Sequence, residues 1–185
     1  MKPASHERVQ FWGMTYARSA LLEAIDSIAA LRKSGHSEAV RSALFTSVVV
    51  SYCRMFGSVD IGNGRKWKLG DKYVPKSHRD MHETLLALRN RVIGHKDASE
   101  VDDLGNLLSR VILHSDGRNL AIHVILPNNI EPVFLDSADA PCAKVLENVF
   151  SDIQMFIGRY VGTKLAAGNY ELQLGEAADP WLKSI

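Results

Sequence analysis

One stretch in the middle of the chain combines an apolar helical stripe with a cation and a titratable side chain. It reads Leu88-Arg89-Asn90-Arg91-Val92-Ile93-Gly94-His95-Lys96-Asp97. Arg89 and Asn90 lie six and five residues ahead of His95, which follows Gly94 near the predicted end of a helix. A permanent cation and a side chain that titrates near neutral pH are therefore placed close together. This combination suits chemistry on a phosphodiester.

The helix that carries this stretch is predicted to begin near Ser77, with Ser77 as its cap and Asp80 in its first turn. Gly94 is its predicted end. Apolar residues recur along it at spacings of four, three and four, as expected for one buried face. They are Met81, Leu85, Leu88 and Val92.

Three further amphipathic helices surround this one in the sequence. The first is predicted from about Ser5 to Lys33, and the second from near Ser37 to about Gly57. The last is predicted to open at Asp139 and to end near Gly168. Four such helices in one chain favour a helical bundle, so the fold class is mainly α.

The remaining segments predict short strands and loops. Residues 58–77 are rich in glycine and are predicted to form a long loop. Two apolar runs flank Asp116-Gly117, which predicts an antiparallel β-hairpin inserted before the last helix, at about 107–135. Val133-Phe134-Leu135 is a candidate third strand. In the tail, at about 168–185, the alternation of residues 170–174 predicts a strand that joins the hairpin, and Trp181 is a candidate anchor.

Length and composition fit a single domain over residues 1–185. The chain has no apolar run of the length that a membrane span needs, so we expect a cytoplasmic protein with no membrane partner. Cys53 and Cys142 lie in apolar helical patterns, which predicts buried, reduced thiols. The net charge is +1, but between Arg54 and Lys96 ten lysines and arginines face four acidic residues. This excess fits either a local polyanion site or an ordinary solvated basic loop.

The spacing Arg89-Asn90-x4-His95, with an apolar stripe before it and Asp97 after it, resembles the Arg-x(4–6)-His motif of the HEPN superfamily. It is especially similar to HEPN proteins of phage abortive infection. The resemblance implies a four-helix HEPN-like bundle and a metal-independent endoribonuclease that acts as a homodimer on RNA. It also implies that Arg89 and His95 are catalytic, that Asn90 assists them, and that an antitoxin or nucleotidyltransferase-like protein is a partner. A toxin in phage defence or in a toxin–antitoxin pair is the role that follows.

Several residues near the motif are candidates for binding the RNA. Trp67 can stack a base between the surrounding cations, or it can pin its loop to the helices. The candidates are His82, Arg91, Lys96, Arg65, Lys66, Trp67 and Lys68. His78 and His82 lie one helical turn apart, but a third zinc ligand is missing from the sequence pattern, so no metal and no cofactor are predicted.

Two alternatives to catalysis stay open at the level of sequence. Arg89 can pair with a carboxylate while His95 caps a helix end. The protein can also be a non-catalytic helical module that binds nucleotide, RNA or a partner protein through the same cationic groove.

Overall fold

The computed structural model describes residues 3–61, 65–90, 110–115, 120–125, 132–161, 169–174 and 181–184. Within these ranges the chain is mainly helical, as predicted, and short antiparallel strand pairs accompany the helices. The helices are α1 (Ser5–Leu31), α2 (Glu38–Arg54), α3 (Arg79–Leu88) and α4 (Pro132–Phe156). The strands are β1 (Val59–Asp60), β2 (Lys66–Trp67), β3 (Arg110–Ser115), β4 (Leu120–Ile125), β5 (Tyr170–Leu172) and β6 (Leu182–Ser184).

Helix α1 lies between α2 and α4, and both run antiparallel to it. The Oγ atoms of Ser27 and Ser47 are 2.9 Å apart in the contact between α1 and α2. On the other side, Arg32 near the end of α1 binds Asp139 near the start of α4 at 2.9 Å. The small residues Ala20 and Ala24 of α1 are fully buried, which allows these helices to approach closely.

Helix α2 begins as the sequence predicts. Ser37 is its cap, and the Ser37 Oγ accepts a hydrogen bond from the backbone N–H of Val40 at 3.4 Å. Val48 and Val49 have no exposed surface. Burial of these β-branched side chains outweighs their weak preference for helix, because apolar contact stabilises more than propensity opposes.

The start of α3 differs from the prediction. A 3-10 turn occupies Lys76–His78, so α3 begins at Arg79 with His78 as its cap residue, and the predicted Ser77 cap is wrong. Asp80 does lie in the first turn, where a negative charge favours the helix dipole. The predicted end of this helix at Gly94 lies outside the described residues.

The last helix starts about two turns earlier than predicted. Pro132 is its first residue, so residues 133–135 are helical and not a third strand, and the predicted hairpin limit at 135 is wrong. Asp139 and Pro141 lie inside α4. Buried residues continue through this region at helical spacing, and their packing on the core explains the longer helix. They are Leu135, Ala138, Cys142, Val145 and Val149.

The strand pairs are local. β3 pairs with β4 in antiparallel register, with Ile112 opposite His123. The residues predicted to turn between them, 116–119, lie outside the described ranges. β5 pairs with β6, so the predicted addition of the tail to β3 and β4 is not found among the described strands.

Residues 58–61 and 65–77 contain more regular structure than the predicted loop. β1 pairs with β2, and 3-10 turns occupy Asp71–Tyr73 and Lys76–His78. The backbone N–H of Leu69 donates to the carbonyl of Met55 at 2.7 Å, which fixes this segment to the end of α2. Trp181 contacts Phe156 edge-on at 6.1 Å between ring centroids, so the predicted anchor is confirmed.

Candidate functional site

The predicted catalytic arginine lies at the exposed end of α3. Arg89 follows the last residue of α3 and keeps helical backbone angles, and both Arg89 and Asn90 are solvent-exposed. The Nη1 of Arg89 donates to the Oδ1 of Asn90 at 2.9 Å. Among the described residues no carboxylate pairs with Arg89. Its guanidinium is therefore oriented by a neutral neighbour and keeps donors for an anion.

Three other predicted site residues lie outside the described ranges. They are Arg91, His95 and Lys96. The pairing of Arg89 with His95 therefore stays a prediction from the motif.

His82 does not line an open groove, contrary to its assignment as an RNA contact. Its side chain is only 6% exposed, and Nδ1 lies 3.0 Å from the hydroxyl of Tyr52. The ring of Phe56 packs edge-on against it at 4.5 Å between centroids. Burial lowers the pKa of His82, so the neutral ring is favoured. His82 joins α3 to α2 and is a core contact.

Trp67 holds its own segment on α1 and does not offer a face to a base. The indole is 5% exposed, and its Nε1 donates to the Oε1 of Gln10 at 3.2 Å. The ring occupies the space beside Gly13, where an added Cβ would lie 2.0 Å from a ring carbon. Of the two roles that the sequence left open, the structure shows the pinning role.

Within the described residues, Arg65, Lys66 and Lys68 do not form one surface. The guanidinium of Arg65 donates to the Oγ of Ser5 at 3.3 Å and to the carbonyl of Leu174 at 3.5 Å. Arg65 is thus occupied in holding the tail and α1 together, which argues against the predicted RNA contact. Lys66 and Lys68 are both exposed, but they line different cavities. Lys68 lines a cleft at the start of α1 that is described below, and Lys66 lines a separate depression.

Helix α3 is tied to the core by a second buried contact. The thiol of Cys53 donates to the carbonyl of Leu85 at 3.2 Å. Burial raises the pKa of Cys53 to about 12, and burial likewise raises the pKa of Cys142 to about 12. Both cysteines are free and buried, as predicted, and neither is poised as a nucleophile.

Sequence reasoning missed a cleft of about 660 Å³ at the start of α1. Its walls come from α1, from the segment after β2 and from residues 152–160. Its lining residues include Lys72, Tyr73, Asp152, Arg159 and Tyr160. These residues come from positions about 80 apart, and the sequence pattern holds no signal for their meeting. Neither Arg89 nor Asn90 lines this cleft.

Comparisons of the chain with protein-family models, with curated proteins and with solved structures find no match. No described helix is long and apolar enough to cross a membrane. Over the same described ranges, His, Cys, Asp and Glu side chains form no group that could hold a metal ion.

Proposed function

We propose that the protein is a metal-independent endoribonuclease of the HEPN type that cleaves RNA by attack of its own 2′-hydroxyl. The observation that carries the proposal is the exposed guanidinium of Arg89, oriented by Asn90 and not neutralised by any described carboxylate. Such a group binds and stabilises a phosphodiester as charge develops on its oxygens. Helix α3 packs against α2 and α4, and both of these helices pack against α1. This arrangement supports a HEPN-like four-helix bundle.

In this mechanism His95 is the acid or base. One imidazole removes the proton of the 2′-hydroxyl, and the 2′-oxygen then forms a bond to phosphorus. The bond from phosphorus to the 5′-oxygen breaks, and a protonated imidazole donates a proton to that leaving oxygen. The products are a 2′,3′-cyclic phosphate and a 5′-hydroxyl. Arg89 stabilises the phosphoryl oxygens, and no metal or cofactor is needed for these proton transfers.

Helix geometry favours a homodimer as the active species. If α3 continued unbroken, Arg89 and His95 would point about 120° apart, because each residue turns the helix by about 100°. A two-fold axis beside the motif would bring two copies of each side chain to one cleft. Two His95 side chains would then supply the base and the acid. An antitoxin or nucleotidyltransferase-like partner would cover this cleft between the two protomers.

The decisive experiment is cleavage of 5′-labelled single-stranded RNA by the purified full chain in excess EDTA. We expect cyclic phosphate ends, and a loss of about 100-fold or more in rate for both Arg89→Ala and His95→Ala. Arg79→Ala is the matched control, because it removes an exposed arginine from the other end of α3. Its rate is expected to stay within about twofold of wild type, since surface changes away from a site have small effects.

Equal cleavage by wild type and by an Arg89→Ala/His95→Ala double variant would overturn the proposal. RNA binding that depends on Arg89 but never leads to cleavage would instead identify the protein as a non-catalytic binding module.

A further inference from the structure

Three cations and two carboxylates line the cleft at the start of α1, so cations are in excess. Lys68 and Lys72 are exposed at its rim, and no carboxylate within the described residues pairs with either. Arg159 also lines the cleft, and its Nη1 is 3.9 Å from the Oε1 of Glu7. Three permanent cations from two separate segments therefore border one cavity.

The acidic side chains of the cleft are already engaged by tyrosines. The hydroxyl of Tyr73 donates to the Oδ2 of Asp152 at 2.5 Å, and the hydroxyl of Tyr160 donates to Glu7. This second bond lowers the pKa of Glu7, and burial together with the Asp152 bond raises the pKa of Tyr73 to about 12. Each carboxylate thus accepts a hydrogen bond, whereas neither lysine has an ion pair within the described residues. The Nζ of Lys72 lies over the ring of Tyr73, 5.0 Å from its centroid.

The segment that carries the two lysines is held rigidly. Trp67, the residue before Lys68, packs beside Gly13. The backbone N–H of Leu69, the residue after Lys68, donates to the carbonyl of Met55. The side-chain amide of Asn148 donates to the carbonyl of Tyr73 at 2.9 Å, directly after Lys72. A ligand that binds here therefore meets a preformed rim, which lowers the entropic cost of binding.

The same cleft offers apolar surface. Met14 and Phe156 form part of its wall, and Met155 at the rim is 63% exposed. Its volume lies within the range of roughly 300–1,000 Å³ that is usual for small-molecule sites. A rim of cations beside an apolar wall fits a ligand with a phosphate and a planar ring.

We propose that this cleft binds a nucleoside monophosphate or a closely similar small phosphate ester, with the phosphate on Lys68 and Lys72 and the ring against Met155. The proposal goes beyond the endoribonuclease, because the cleft contains neither Arg89 nor Asn90 and needs no turnover.

Isothermal titration calorimetry of the full chain with AMP, adenosine and ribose 5-phosphate tests the proposal. We expect AMP to bind about tenfold or more tightly than adenosine, because a phosphate adds charged hydrogen bonds. AMP is also expected to bind more tightly than ribose 5-phosphate, which lacks the ring. Absent AMP binding, or equal affinity for AMP and adenosine, would overturn the phosphate site. Equal affinity for AMP and ribose 5-phosphate would overturn the ring contact.

Two variants place the binding in this cleft. Lys68→Ala/Lys72→Ala is expected to weaken AMP binding by about tenfold or more, and Met155→Glu is expected to weaken it by like-charge repulsion. Lys33→Ala/Lys76→Ala is the control, since it removes the same charge from exposed positions that do not line the cleft. The proposal would be overturned if both cleft variants bound AMP as tightly as the control variant does. Circular dichroism confirms that each variant is folded.

Discussion

The hydroxyl of Tyr52 in α2 lies 3.0 Å from Nδ1 of His82 in α3, and both side chains are buried. One turn further along α3, the carbonyl of Leu85 accepts a hydrogen bond from the thiol of Cys53. Two polar contacts thus fix the helix that precedes Arg89 to the core of the protein. The orientation of α3, and with it the position of Arg89, therefore depends on buried residues of α2.

The His82 contact predicts acid sensitivity. Burial lowers the pKa of His82 from its usual 6.5; Asp71 and Glu83 oppose this shift, and Arg79 adds to it. The unfolded chain therefore binds a proton at a higher pH than the folded chain does. The free energy of unfolding is expected to be level well above pH 6.5 and to fall as the pH drops below it, until the lowered pKa is passed.

Urea unfolding from about pH 7.5 to about pH 5 measures this effect, because a histidine titrates in that interval. His82→Gln, which cannot titrate, is expected to show a smaller loss of stability across it. His78→Gln, which replaces a less buried histidine at the start of α3, serves as the control. Identical pH profiles for wild type and His82→Gln would contradict the assignment.

Gly13 is predicted to tolerate no larger side chain. A Cβ at this position would lie 2.0 Å from Trp67, whose ring is held by the core. Gly13→Ala is therefore expected to destabilise the protein by about 1–3 kcal/mol in denaturant unfolding, the usual cost of overpacking. Gly158→Ala has open space around the added carbon and is expected to be neutral or to stabilise slightly, because glycine is a poor helix former. Equal stability of the two variants would show that Trp67 moves aside freely.

Arg8 is predicted to hold the tail on α1. This side chain is 1% exposed, and its Nη1 donates to the carbonyl of Gln173 at 2.8 Å, next to β5. In Arg8→Met, which keeps the apolar length, we expect the opening free energy of β5 to fall by about 1.5–3 kcal/mol, the value of a charged hydrogen bond. Hydrogen exchange at residues 170–172 measures it. Arg18→Met changes an exposed arginine of the same helix and is expected to leave that exchange unchanged.

Asn90 is predicted to position Arg89 for the proposed ribonuclease reaction. Asn90→Ala removes the acceptor for Nη1 and is expected to lower kcat/KM by about tenfold, equivalent to about 1.4 kcal/mol. Asn90→Asp is expected to cost more, because a carboxylate beside Arg89 neutralises the cation that must bind phosphate. Thr84→Ala on the same helix is the control, since the hydroxyl of Thr84 is exposed and donates to the backbone carbonyl of Asp80. Higher activity in Asn90→Asp than in Asn90→Ala would contradict this role.

Local patterns in the sequence predicted the helices well where one turn carries the signal. Ser37 begins α2 as a cap, and the apolar spacing of α3 places Leu85 in the core. The start of α4 was missed because Asp139 and Pro141 look like a helix start, while the buried residues before them continue the same stripe. Packing against the other helices outweighed that local signal.

In the candidate site, too, local features follow from the sequence and contacts between distant segments follow from the tertiary structure. The sequence by itself determined the helical class, the order of the helices and the position of Arg89 and Asn90 on the third amphipathic helix, because these depend on residues within a few turns of each other. The exposure of Arg89 and its contact with Asn90 come from the tertiary structure. Only the tertiary structure decided that His82 and Trp67 are core contacts, and that Lys68, Lys72 and Arg159 share a cleft. Burial and long-range proximity depend on how distant segments pack, and single-sequence periodicity does not contain that information.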